Sequence, residues 1–148
     1  MRQLAQPQNQ WSDLRPKTLE GLAQKKEHVL LTEIYLEEGE IDLALESLER
    51  AKASNRYWGG FSLQVEVAQA ANEQRPRESI RLYMQLANNL ITQRGRDNYA
   101  QAAAHLRLVR EAYLRLDEPQ TWQALIKNLR EEYRSLPALK DELNRAGL

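Results

Sequence analysis

The sequence predicts an all-α protein, a right-handed α-solenoid of about seven helices arranged as antiparallel pairs. Three observations carry this expectation. Of 148 residues only 13 are Val, Ile or Thr, while Ala, Leu, Gln, Glu, Arg and Lys dominate, and that usage favours helix over sheet. Apolar residues recur at spacings of three and four along most of the chain, the period of a helix with one buried stripe. Glycines and prolines interrupt these stripes at short intervals, and helices joined by a few residues pack side by side in opposite senses.

Residues 1–15 are polar and rich in Gln and Asn, so they are expected to form a flexible N-terminal arm, with Trp11 folded back on the first helix. Residues 16–148 are expected to form a single helical-repeat domain. Pro16 suits the first turn of a helix, where its missing N–H breaks no bond. Leu19, Leu22, Ala23, Val29, Leu30, Ile34 and Tyr35 then line one helix that ends at Gly39, a residue suited to the left-handed turn after a helix. Ile41, Ala44, Leu45, Leu48 and Ala51 line the second, which fades at Ser54-Asn55. After Gly59-Gly60, Phe61, Leu63, Val65, Val67, Ala68, Ala70 and Ala71 mark the third. Pro76 opens the fourth, with Ile80, Tyr83, Met84, Ala87, Leu90 and Ile91. Gly95 precedes a long fifth, with Tyr99, Ala102, Ala103, Leu106, Val109, Ala112, Tyr113 and Leu116. Asp117-Glu118-Pro119 makes the next turn, before a sixth helix with Trp122, Leu125, Ile126, Leu129 and Tyr133. Pro137 opens a last helix, with Leu139 and Leu143, expected to cap the open end of the stack.

Composition narrows the chemistry. The chain has no cysteine, which excludes disulfides, Cys-ligated zinc and thiol catalysis within it. Its 21 basic and 21 acidic residues balance, so it lacks the overall positive charge of a dedicated nucleic-acid binder. No apolar run approaches the roughly 18–20 residues that span a bilayer, and Met1 to Gln10 do not resemble a secretory leader. A cytoplasmic protein without membrane contact is expected. His28 and His105 are the only histidines and stand on different helices, and no glycine-rich phosphate loop follows a strand. No catalytic site, metal site or cofactor is expected. The acidic cluster Glu37, Glu38, Glu40 and Asp42 lacks the spacing of a calcium loop and reads as a solvated hairpin tip.

The first helix pair resembles a tetratricopeptide repeat. Tyr35 precedes Gly39 by four residues, Ala44 follows Gly39 by five, Ala51 follows Ala44 by seven, and Leu31 and Leu48 stand at the larger packing positions. Ser79, Tyr83, Val67 and Ala70 continue the pattern, while Glu66 and Gln74 replace an apolar residue and the turn glycine. Residues 76–146, through Asp97-Asn98-Tyr99, Ala102-Ala103, Val109-Arg110, Trp122 and Leu129-Arg130-Glu131-Glu132-Tyr133, resemble the helical tail of bacterial SWIM zinc-finger proteins. That family's finger uses Cys and His ligands, and with no Cys here its contacts transfer to no residue of this chain.

The repeat resemblance implies a scaffold that holds a peptide or partner domain on a concave face. By register that face carries Lys26, Val29, Glu33, Leu36 and Glu37, with Trp58 as an aromatic anchor beside Gly59-Gly60. Val29 and Glu33 stand where carboxylate-clamp repeats carry Lys and Asn, so such a clamp is not expected. Charge is uneven: residues 33–49 hold seven acids and no base, whereas residues 75–110 hold seven arginines against Glu78 and Asp97. Arg75, Arg77, Arg94 and Arg96 form the candidate basic patch, suited to carboxylates or phosphates. The second functional reading, from the SWIM resemblance, is a nucleic-acid-associated tail that uses this patch.

Overall fold

The computed structural model describes the backbone of residues 7–24, 27–53 and 60–148, and the side chains of residues 14–23, 27–53 and 62–148. Among the described residues the chain is helical, with eight helices and no strand: α1 (Pro7–Gln24), α2 (His28–Glu38), α3 (Ile41–Ala53), α4 (Gly60–Ala71), α5 (Pro76–Gln93), α6 (Arg96–Arg115), α7 (Pro119–Glu132) and α8 (Pro137–Arg145). They fall into two compact units, Met1–Leu63 and Gln64–Leu148.

The helix boundaries follow local chemistry. α2 ends at Gly39, whose φ of 75° is the left-handed conformation. The Glu40 N–H donates to Tyr35 O at 2.9 Å and the Gly39 N–H to Leu36 O at 3.1 Å, which satisfies carbonyls that the helix leaves open. α6 ends the same way with Asp117 in the glycine position: its φ is 58°, and the Glu118 N–H donates to Tyr113 O at 2.9 Å. Asp tolerates that conformation better than most residues. Pro76, Pro119 and Pro137 each open a helix, as their spacing predicts.

The start of the chain differs from expectation. The helix predicted from Pro16 to the Gly39 turn is two helices, which raises the count from about seven to eight. Gln24-Lys25-Lys26-Glu27 is an unbroken polar run between Ala23 and Val29, and Glu27 leaves helical geometry at φ −88° and ψ 63°. The apolar period on both sides conceals this break in the sequence. α1 also begins at Pro7, so residues 7–15, expected within a flexible arm, are helical and Pro16 lies in a helix interior. A proline there removes one backbone hydrogen bond and crowds the preceding turn, at a cost of about 3 kcal/mol. The neighbouring Arg15 makes a bidentate ion pair across to α2, with Nε and Nη2 donating to the Glu38 carboxylate at 2.9–3.1 Å. Residues 1–6 and the Trp11 side chain lie outside the described residues.

In the first unit α2 packs on both α1 and α3. A buried hydroxyl pair fixes the register of α2 against α3: Thr32 Oγ1 and Ser47 Oγ are 2.7 Å apart. Each hydroxyl also reaches a carbonyl of its own helix, Thr32 Oγ1 at 2.7 Å from His28 O and Ser47 Oγ at 3.2 Å from Ala44 O, so either can donate to the other. Residues 32 and 47 are centred on the Gly39-Glu40 turn, as an antiparallel hairpin requires. Ala44, Leu48 and Ala51 are fully buried beside them.

The second unit repeats this device. Ser79 Oγ of α5 donates to Ala68 O of α4 at 2.8 Å, and Gln64 Nε2 donates to Leu82 O at 3.3 Å and to Gln85 Oε1 at 3.1 Å. These pairs are centred on the turn that joins α4 to α5. Among the described residues α5 and α6 pack most extensively against each other, and Leu82, Leu86, Ala87 and Ile91 of α5 and Ala102, Leu106 and Val109 of α6 are fully buried. α7 and α8 both pack against α6.

The hydroxyl pair offers a direct test of register, because the chain has no cysteine to compete. The double variant Thr32→Cys/Ser47→Cys is expected to form one intrachain disulfide under mild oxidation. Its closed loop of 15 residues should stabilise the oxidised form over the reduced by about 3 kcal/mol in urea titrations. Free thiols after oxidation would show that α2 and α3 are paired otherwise.

Candidate interaction surfaces

The concave face expected from register is described in part. Lys26 and Trp58 lie outside the described residues, as does the Phe61 side chain. Val29, Glu33, Leu36 and Glu37 stand on α2 at spacings that share one helical face; Val29 and Leu36 are half-buried, and Glu33 and Glu37 are exposed. Glu37 borders a recess of about 470 Å³ with Ile34 and Glu38, against Thr18 of α1. α1, unforeseen as a separate helix, therefore supplies a wall beside this face.

The basic patch is not a uniform free surface. Arg77 of α5 is ion-paired with Glu118 at the start of α7, and this guanidinium holds the Glu118 carboxyl below its ordinary value. Arg96 of α6 donates to Asp141 at 2.8 Å and Glu142 at 2.9 Å, both on α8, and lowers the Asp141 pKa, with Arg145 adding to the effect. Arg75 donates to Gln74 O at 2.9 Å, and Arg94 is exposed at the left-handed residue that ends α5. Neighbouring arginines follow Arg77 and Arg96: Arg110 of α6 donates to Gly147 O at 3.0 Å, and Arg115 donates to Asn72 in the α4–α5 turn. Each exposed tie contributes little alone. Together they join α6 to three other segments of its unit.

The histidines sit inside the packing. The His105 ring of α6 stacks on Tyr83 of α5, with centroids 5.5 Å apart and planes 26° apart. Its Nδ1 is buried without a hydrogen-bond partner among the described residues, as is that of His28. Burial pushes the His105 pKa down and the Tyr83 pKa up. Among the described residues no group of three His, Asp or Glu is placed to hold a metal ion. Nor is any described helix long and apolar enough to cross a membrane.

A groove of about 760 Å³ lies between α7 and α8. The buried Ile126, Leu139 and Leu143 underlie it, and the exposed Ala124 with the half-buried Tyr133 and Leu148 gives it an apolar floor. Lys127, Glu131 and Arg134 stand exposed on the α7 side and Lys140 on the α8 side. Arg130 ties the walls together by donating to Asn144 Oδ1 and Leu148 O. Among the described residues, Lys127, Arg134 and Lys140 have no ion-pair partner. No family model, curated protein or solved structure matches this chain.

The groove was absent from the sequence reading, although part of it has a signal there. Lys127, Arg130 and Arg134 recur at spacings of three and four, which places three cations on one face of α7. Charge compared over residues 75–110 ends before this stripe begins.

His105 predicts a pH dependence. Its folded-state pKa lies below the ordinary 6.5, so on acidification the unfolded chain takes up the proton first. Stability is expected to fall as pH drops below about 6.5, until the folded state protonates as well. Glu118 and Asp141 act below their ordinary values of 4.5 and 3.8, outside that window. Urea titrations should show the loss between pH 7.5 and 5.5 for the unaltered chain and a flatter profile for His105→Phe; equal slopes would remove His105 from the account.

Proposed function

We propose that this protein is a non-catalytic scaffold, a tetratricopeptide-like solenoid of antiparallel helix pairs that binds a peptide or partner domain. The observation that carries the reading is the α7–α8 groove, whose apolar floor lies between exposed cations that have no ion-pair partner among the described residues. Apolar centres with a polar rim are typical of protein-binding surfaces. The α2 face of Val29, Glu33, Leu36 and Glu37 is the second surface of this reading. The engagement of Arg77 and Arg96 with carboxylates of the chain itself weighs against the nucleic-acid reading, since those charges are already neutralised.

The test pairs two measurements on the full chain. Selection from a displayed random-peptide library should enrich binders that shift backbone NMR signals of α7 and α8 or of the α2 face. A short DNA duplex should show no retention even at low salt. The reading fails if no peptide is enriched. It also fails if the chain holds DNA with an affinity that falls steeply with salt and is lost on replacing Arg75, Arg77, Arg94 and Arg96 by Ala.

A further inference from the structure

We propose that the α7–α8 groove receives a short acidic amphipathic helix of a partner protein, its apolar side chains on the floor and its carboxylates on Lys127, Arg134 and Lys140. This rests on the scaffold reading and narrows it to one chemistry and one place. The charge pattern selects an anion. Elsewhere in this unit arginines such as Arg77 and Arg96 meet carboxylates of their own chain, whereas the three rim cations have no ion-pair partner among the described residues and Glu131 is the one acid in the groove's lining. An incoming carboxylate supplies such a partner beside an apolar wall, where charge pairs are stronger than in open water.

The floor selects an amphipathic ligand over a merely anionic one. Exposed Ala124 and half-buried Tyr133 and Leu148 give the depression apolar surface above the buried Ile126, Leu139 and Leu143. A phosphate backbone has no side chain to fill it. About 760 Å³ lies within the roughly 300–1,000 Å³ of common binding pockets, room for a few large side chains. The walls select a helix. Both are helices whose backbone groups are already bonded, so they offer no strand edge to an extended peptide. An incoming helix satisfies its own backbone and presents anchors at i, i+3 or i+4, and i+7 on one face.

The experiment uses two labelled synthetic peptides that share one helical pattern of Leu and Phe. One carries Glu at every polar position and the other Lys. Fluorescence anisotropy with the full chain should show the acidic peptide binding at least about tenfold tighter than the basic one, with the difference shrinking as salt is added. The variant Lys127→Glu/Lys140→Glu alters only exposed side chains and should keep the parent melting curve. It is expected to lose at least about tenfold in affinity for the acidic peptide and to gain affinity for the basic one. Equal binding of both peptides, or an unchanged preference in the double variant, overturns the proposal. So does self-association that rises with concentration and is cancelled by the double variant, because a second copy is then the occupant. If neither peptide binds while library-selected peptides seat elsewhere on the chain, this proposal fails and the scaffold reading stands.

Discussion

Helix backbones in this protein come together because the residues between them are small. Ala44 and Ala51 in the first unit, and Ala68, Ala71, Ala87, Ala102, Ala103 and Ala112 in the second, are all essentially removed from solvent. An alanine at a crossing lets a neighbouring helix approach until large side chains on either side, such as Leu86 and Leu106, fill the remaining space. Two of these seams also carry a buried serine. Ser79 reaches a carbonyl of the neighbouring helix and Ser47 reaches Thr32, so each sets a register that apolar contact alone leaves open. A hydroxyl sealed between helices is costly unless its bond is made; for Ser79 that bond crosses to α4, while Thr32 and Ser47 each have a carbonyl of their own helix as well as one another.

Charge is arranged around this packing in two different ways. Arginines on α5 and α6 reach residues that lie 37 to 46 positions away in sequence, and they fasten the outer edges of helices already held by their seams. The cations at the α7–α8 groove have no such role. One set of charges belongs to the structure and the other is left facing solvent beside an apolar floor. That contrast, more than the number of positive residues, separates surface that supports the fold from surface available to a partner.

Much of the fold was legible because short-range signals decide it. Gly39 required a left-handed residue, Pro76, Pro119 and Pro137 opened helices, and the three-and-four spacing of α5 and α6 marked their buried faces. The break at Glu27 was hidden because the apolar period resumes on the far side, and the helical state of residues 7–15 had no apolar stripe to announce it. The surfaces were harder to read. The partners of Arg77 and Arg96 had no local signal, because Glu118, Asp141 and Glu142 lie 41 to 46 positions away and come near only after folding. The groove depends on how α7 and α8 stand against each other, and no local pattern encodes that.

The central claim is that close approach at small residues holds these helices together, and two leucine substitutions in one helix test it. Ala102 is fully buried in α6, and Ala104, two positions on, is exposed. Leucine has nearly the helix propensity of alanine, so any large difference between the variants reports packing. Urea denaturation of Ala102→Leu should show a loss of about 1–3 kcal/mol against the parent chain, and Ala104→Leu a change within about 0.5 kcal/mol. Equal midpoints for the two variants would contradict the account, because α6 would then have room at its seam that close-packed backbones do not leave.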